Sequence, residues 1–378
     1  MSASDPVSGS WPEGFARGSA NRAALAALLG LASLTPRRLL ALATRAPTAS
    51  DVLALVRRGG HSSEEDRDAA RAMDGDDVIQ AAADAGARLV AVGESDYPSS
   101  LLDLYDPPAG LFVRGDRLSS PAPAVAIVGA RNASPGGEDV TLALGAALAR
   151  AGARVVSGAA RGIDARAHEG ALDGGGVTVA VLGSGIDVAY PRQNARLIER
   201  IAARGSVVSE YPPGTKALPF RFPARNRIVA GLARAVVIVE GASGSGSMIT
   251  ADHALELGRE VFAVPGPVAS ELAQVPLSLI REGAGLIRGA EDLLDDLGLS
   301  SVGAGSESGE PAGGSRGAGL PPDEAAVAGA ISGSAPAEAI AARAGLPLPR
   351  TLAALGALEV RGLVRLRGGR YESRVPPA

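Results

Sequence analysis

Ala235-Val236-Val237-Ile238-Val239-Glu240 runs directly into Gly241-Ala242-Ser243-Gly244-Ser245-Gly246-Ser247. A short unbroken run of β-branched and apolar residues reads as a strand covered on both faces, and the Gly/Ser loop after it reads as the entrance to a helix. Just upstream stands Arg221-Phe222-Pro223-Ala224-Arg225-Asn226-Arg227-Ile228-Val229-Ala230-Gly231. Arginines and an aromatic ring beside such a loop are suited to holding several phosphates and stacking a base.

Outward from this stretch the same grammar repeats. Strand-like runs cover Arg88 to Val92, Val125 to Val128, Arg154 to Ser157, Thr178 to Leu182, Ser206 to Glu210 and Glu260 to Val264, with helical stretches such as Val140 to Ala151 and Pro191 to Ala203 between them. Apolar strands alternating with helices predict an α/β fold: an extended Rossmann-like, doubly wound parallel sheet over residues 87–297. Residues 20–86 read as a small helical module of SAM or helix-hairpin-helix type, with Thr35-Pro36 as an N-cap followed by a first-turn proline. Its 32–36 loop lacks the Gly-x-Gly that admits phosphate, so DNA binding and plain packing both stay open. Residues 1–19 are expected to be disordered and 298–322 to be a flexible linker, both being rich in Gly, Ser and Pro. Three helical stretches, Asp323 to Ile331, Ala337 to Ala344 and Arg350 to Arg361, precede a hairpin about Gly368-Gly369. That is the outline of a winged helix over 323–378, made locally basic by Arg361, Arg365, Arg367, Arg370 and Arg374.

Composition narrows the function classes. The chain has 378 residues, 46% hydrophobic but only 3% aromatic, so its cores rest on Ala, Val, Leu and Ile. With Cys 0 there is no disulfide framework and no thiolate nucleophile or metal ligand. No apolar run is long enough for a membrane span and the start lacks a signal pattern, so a cytoplasmic location is expected. The formal net charge of -4 argues against a uniformly basic coat, though not against a local basic groove. Lys216, the one lysine among many arginines, falls just before the arginine-rich stretch.

Ligands of open parallel sheets bind beyond the carboxyl ends of the strands. Those ends carry small-residue loops here: Gly129-Ala130-Arg131-Asn132 with Ser134-Pro135 capping the next helix, Ser157-Gly158-Ala159-Ala160-Arg161-Gly162-Ile163-Asp164, and Gly183-Ser184-Gly185-Ile186-Asp187. Helix N-termini offer free N–H groups, and Arg131, Arg161, Arg225 and Arg227 are expected to converge on the same rim. Phe222, read as lying in a loop, suits either a core position or a stacking role. Catalytic machinery is not evident. His61, His168 and His253 lack metal-ligand spacing, no ATP phosphate loop or nucleophile elbow is present, and Asp164, Asp187 and Glu210 read as caps or as partners of arginine. No catalytic residue, metal or cofactor is therefore expected.

The chain resembles the DNA-processing protein A family (DprA, also called Smf). The resemblance rests on Tyr97-Pro98 through Asp106-Pro107-Pro108 to Leu111-Phe112-Val113-Arg114-Gly115; on Ile127-Val128-Gly129-Ala130-Arg131; on Val156-Ser157-Gly158 to Gly162-Ile163-Asp164 with His168; on Tyr190-Pro191 and Ser209-Glu210-Tyr211-Pro212-Pro213-Gly214; and on Phe222-Pro223 to Arg225-Asn226-Arg227-Ile228. Ser245-Gly246 to Ile249-Thr250-Ala251 and Val261-Phe262-Ala263-Val264-Pro265-Gly266 complete it, in family order. It implies a protein that is not an enzyme but a recombination mediator. Such a protein binds single-stranded DNA, protects incoming strands in natural transformation, helps load the RecA recombinase, and works as a homodimer. Carried onto this sequence, the strand would meet Gly129, Arg131, Ser157, Gly158, Arg161 and Gly162. Phe222 would stack a base, and Arg225, Asn226, Arg227, Ser245, Gly246, Ser247 and Lys216 would complete the contacts. Two places depart from the family pattern: Gly244 stands where a basic residue is frequent, and Val275-Pro276-Leu277 stands where a Gly-x-Asn turn is common. The alternative is a nucleotide-binding or nucleoside-monophosphate-cleaving enzyme of the related phosphoribohydrolase-like Rossmann group. Its Pro-Gly-Gly-x-Gly-Thr-x-x-Glu loop is not matched after Glu240.

Overall fold

The structure is a computed structural model that describes residues 10–59, 63–299, 321–331, 335–361, 363–367 and 370–373. His61, Arg374, the Gly368-Gly369 turn, most of the expected linker and the first part of the expected disordered start lie outside these residues. The chain divides into two compact units, Met1–Gly303 and Ala304–Ala378.

The first unit opens with five helices: α1 (Ser19–Leu29), α2 (Pro36–Ala43), α3 (Ala49–Arg57), α4 (Glu64–Ala72) and α5 (Gly75–Asp84). Side-chain oxygens of Thr35, Thr48, Ser63 and Asp74 accept from first-turn N–H groups and so start the last four. Leu25, Leu28, Leu39 and Val52 of these helices share one core with Leu89 and Phe112 of the sheet that follows and with Ile201 of a helix packed on it. The module thus buries its apolar face against the sheet.

The sheet follows as β1 (Ala87–Ala91), β2 (Gly110–Gly115), β3 (Ala124–Val128), α6 (Pro135–Arg150), β4 (Arg154–Ser157), α7 (Ile163–Asp173), β5 (Thr178–Leu182), α8 (Ala195–Arg204) and β6 (Ser206–Ser209). It continues with α9 (Arg221–Leu232), β7 (Ala235–Ile238), α10 (Gly246–Glu256), β8 (Glu260–Ala263), α11 (Gln274–Arg281), β9 (Gly285–Leu286) and α12 (Ala290–Asp296). The order across the sheet is β1-β2-β6-β5-β4-β3-β7-β8-β9. From β6 to β9 every pairing is parallel. Strands alternate their side chains between faces. Val125 and Ile127 accordingly pack with Leu144 and Leu148 of α6, while Ala126 and Val128 pack with Ile228 and Val229 of α9.

One expectation needs correcting. A parallel sheet was expected from Arg88 onward, yet β1 pairs antiparallel with β2 and β2 antiparallel with β6. No α-helix separates β1 from β2, only a short 3-10 turn at Ser99–Asp103. Without a crossover helix the chain returns as a hairpin-like pair on the sheet edge.

The second unit holds α13 (Pro322–Ala330), α14 (Ala337–Ala344), α15 (Leu348–Val360) and the antiparallel pair β10 (Val364–Arg367) and β11 (Arg370–Ser373). Val327, Ile340, Leu355 and Leu358 form its core. Arg350 forks onto Asp323 at 2.7 and 2.6 Å, tying α15 to α13. Among the described residues, no helix is long and apolar enough to cross a membrane.

Candidate nucleic-acid interface

The strand order reverses at β3, whose neighbours β4 and β7 lead away in opposite directions. That reversal parts the loops and leaves a crevice at the carboxyl ends of the strands. The loops after β3, β4 and β7, with the start of α9, enclose a cleft of about 610 Å³. A smaller hollow of about 330 Å³ shares Arg131, Gly158, Tyr190, Phe222 and Arg225 with it and adds Arg161 and Gln193.

The helix ends around the cleft are not alike. At α6, Ser134 Oγ accepts from Gly137 N at 3.1 Å, while the Ser134 N–H and hydroxyl donate to the Glu240 carboxylate at 2.9 and 2.6 Å. The chain's own carboxylate therefore answers that helix end. The helices α7, α9 and α10 start without any side-chain cap, although Asp164 sets a carboxylate in the first turn of α7; Asp164, Phe222, Gly246 and Ser247 of their first turns line the cleft. Uncapped N–H groups with the positive end of the helix dipole favour an anion. Gly162 makes the entry to α7 practicable: its φ is 69°, and a Cβ there would lie 2.4 Å from Ala130 O.

Arg131 is exposed, and its guanidinium carbon lies 5.5 Å from the centroid of the Phe222 ring. Phe222 in turn lies 5.1 Å from Tyr190, the two rings inclined at 31°. Tyr190 is 48% exposed, so this aromatic pair presents a face to incoming ligand. Arg161 is exposed beside the smaller hollow. The Ser245 and Ser247 hydroxyls bond each other at 2.6 Å, and Asn226 Nδ2 donates to Gly246 O at 3.0 Å, which pins the Gly/Ser loop to α9. Gly244 has φ 76° with open space about it, so the backbone itself favours glycine where a basic residue is frequent in the family. Val275-Pro276-Leu277 belongs to α11 rather than to a turn, and Val275 N donates to Gly241 O at 2.9 Å.

The structure brings Gly129, Arg131, Gly158, Phe222, Arg225, Asn226, Ser245, Gly246 and Ser247 onto the cleft, and Arg161 onto the hollow next to it. It does not bring Ser157, Gly162, Lys216 or Arg227 to the lining. The Ser157 hydroxyl is buried and donates to Ile127 O at 2.6 Å. Lys216 is exposed to one side, its carbonyl accepting from Arg221. Phe222 sits in the first turn of α9, not in a loop, because Pro223 occupies a first-turn position whose N–H has no helical partner to lose.

The two α9 arginines are the larger correction, for neither is a rim group. Arg225 is 5% exposed and donates from Nη1 to Gly158 O and Val181 O. A Cβ at Gly158 would fall 2.1 Å from that nitrogen, so the glycine admits the arginine rather than a phosphate. Burial pulls the Arg225 guanidinium below its usual value while Asp164 holds it up. Burial likewise raises the Asp164 carboxyl, against the pull of Arg225. Arg227 is wholly engaged elsewhere: Nε donates to Asp106 at 2.9 Å and Nη2 to Glu210 at 2.7 Å. Burial pushes the Glu210 carboxyl up, opposed by Arg227, so the pair stands or falls together. His168 is fully buried, with Nδ1 2.7 Å from Thr178 Oγ1. That hydroxyl donates its one proton to Val155 O, so Nδ1 is the donor, and burial disfavours the charged form of the ring.

Tyr190 and Glu240 were not picked out as site residues from the sequence. Both stand in stretches that carry the family resemblance, Val181-Leu182-Gly183 to Tyr190-Pro191 and Glu240 through Ser245-Gly246 to Ile249-Thr250-Ala251, but neither had a role assigned from it.

A family model described as DNA recombination-mediator protein A matches residues 88–298, more than half of the chain. A putative DNA processing protein DprA of Mycobacterium tuberculosis (strain ATCC 25618 / H37Rv) is 40% identical over 327 residues, 85% of this chain and 79% of that protein. Among solved structures, DprA from Streptococcus pneumoniae aligns with TM-score 0.63 and 33% identity, covering 73% of this chain and 97% of that one. DNA processing protein A from Helicobacter pylori, described for its unique single-stranded DNA binding mode, aligns with TM-score 0.51 and 31% identity over 56% of this chain and 97% of that one. The chain belongs to the DNA recombination-mediator protein A (DprA) family.

Proposed function

We propose that the cleft binds single-stranded DNA, with Arg131 and Arg161 as phosphate contacts and Phe222 with Tyr190 as the stacking platform. The observation that carries this reading is the Arg131–Phe222–Tyr190 stack at the open mouth of a cleft walled by three uncapped helix N-termini. An exposed Tyr190 beside a half-buried Phe222 and an adjacent cation favours unpaired bases, whose faces are free, over a closed duplex. The single-stranded DNA binding ascribed to the Helicobacter pylori relative supports the same reading.

On this reading Gly129, Ser245, Gly246 and Ser247 offer close backbone approach, Arg225 and Asn226 hold the floor and wall, and no hydrolytic step is involved. The chain acts as a cytoplasmic homodimer that protects incoming strands in natural transformation and helps load RecA. The segment 323–378 serves as a winged-helix domain joined by the 298–322 linker to the 87–297 domain, with 20–86 as a helical module.

The direct test titrates labelled single-stranded and duplex oligonucleotides of equal length over a range of salt. Single strands should bind tighter, with log K falling by roughly 0.7 per phosphate contact for each unit of log salt. Equal affinity for duplex would overturn the assignment. Release of base from a nucleoside monophosphate would bring back the enzymatic alternative. RecA loading is tested separately, by filament growth on strands pre-covered with a single-strand-binding protein.

A further inference from the structure

At the opposite ends of the strands from the cleft, Arg154, Arg234 and Arg259 line a hollow of about 240 Å³ together with Ser99, Ser119 and Ser120. Arg154 opens β4 and Gly158 follows its last residue, so strand length alone sets this hollow on the order of 10 Å from the cleft. Arg154 is 8% exposed; Nη1 donates to Leu118 O at 2.7 Å, but Nη2 is buried and makes no hydrogen bond. Arg259 shows the same half-use: Nη2 donates to Asp103 at 2.7 Å while its buried Nε makes none. Arg234 is exposed, bonding Leu297 O at 3.3 Å.

No carboxylate is among the residues lining the hollow. Asp103 is engaged by Arg259, and Asp96 by Arg88 at 2.7 Å. Asp96 and Asp116 attract Arg154 without taking its free donor; burial pulls its guanidinium below the usual value, and those two charges oppose the pull. A buried guanidinium with an unanswered N–H is costly, and a hydrogen-bonded anion removes the cost. Three arginines and four serines about a small hollow, Ser100 being the fourth, match the tetrahedral, acceptor-rich chemistry of a phosphoryl group.

We propose that this hollow is a phosphate-binding site, separate from the cleft, in which the guanidinium groups of Arg154, Arg234 and Arg259 hold the anion. Inorganic phosphate and the terminal phosphate of a nucleic-acid strand share the chemistry it recognises. The site stands whether or not the cleft takes DNA.

The test is isothermal titration of inorganic phosphate into the full chain, with ³¹P line broadening as a second readout. Saturable binding is expected, weakened roughly tenfold by Arg234→Ala and by Arg259→Gln, as loss of one charge-assisted contact implies. Arg131→Ala, which removes a phosphate contact of the cleft, should leave the component of the isotherm that Arg234→Ala and Arg259→Gln weaken. Arg154→Gln should abolish that component; if that variant does not fold, the Arg234 and Arg259 variants decide. No saturable binding, or binding lost in Arg131→Ala yet kept in Arg234→Ala and Arg259→Gln, would overturn the proposal. In the Arg131→Ala background, oligonucleotides with and without a 5′-phosphate separate the two sources. Tighter binding of the phosphorylated strand, abolished by Arg234→Ala, identifies a strand end, and no difference identifies the free anion.

Discussion

On α9, Arg225 and Arg227 are each 5% exposed and bonded to carbonyls or carboxylates of the chain itself. On the loops after β3 and β4, Arg131 and Arg161 are exposed beside the cleft. The residue type is the same and the two groups border one end of one sheet, yet they do opposite work. Arg225 reaches from α9 across the loop after β4 to the end of β5, and Arg227 joins α9 to the end of β6 and to the Asp106 loop, so the pair fixes the geometry of the site. On the proposed reading the rim pair supplies charge to the strand. A guanidinium whose donors are already matched by its own chain has little left for a ligand, and partners rather than proximity decide which arginines bind.

The largest effect that follows from this contrast is on stability. Arg227→Ala leaves Glu210 and Asp106 facing each other without their cation, and breaking a buried pair from one side costs about 3–5 kcal/mol. Urea denaturation should show it as a lowered midpoint, and Arg227→Met with Glu210→Leu should recover most of the loss. A midpoint unmoved by Arg227→Ala would break the comparison, because Arg227 would then be as dispensable to the fold as a rim residue.

Next in size are the rim groups, read through binding. Phe222→Ala should reduce affinity for single strands by about 1–3 kcal/mol for each base it stacks, measured by fluorescence anisotropy. Arg131→Ala should lower the slope of log K against log salt by roughly 0.7 while leaving the denaturation midpoint in place. If Arg131→Ala lowered the midpoint as much as Arg227→Ala, the division into scaffold and contact would fail.

Much of this was legible in the sequence, and where it was not the reason is local. The central strands are short β-branched runs, so Arg154–Ser157 and Thr178–Leu182 fall where the pattern puts them. β9 spans only Gly285–Leu286 and is held by main-chain pairing to β8, which leaves no side-chain signature. The cleft position was readable because small-residue loops follow β3, β4 and β7. The fate of Arg227 was not, because its partner Asp106 lies 121 residues away and only the fold brings them together. Pro223 and three arginines made the start of α9 look like a loop, although the first turn of a helix tolerates proline.

The smallest effect tests whether His168 is truly buried. Burial and then the Arg225 charge push the neighbouring His168 down to about 3. Its ordinary value is about 6.5, so between those limits the unfolded chain binds a proton that the folded chain refuses. A lowered folded-state value means the contribution is intact above pH 6.5 and is lost progressively as pH falls toward 3. At pH 5.5 the loss amounts to about 1.4 kcal/mol by that linkage. Comparing wild type with His168→Leu, each measured at pH 7.5 and 5.5, isolates this term from every other titrating group. Wild type should lose that much more stability than the variant on acidification. Equal losses would place His168 in contact with water rather than in the core.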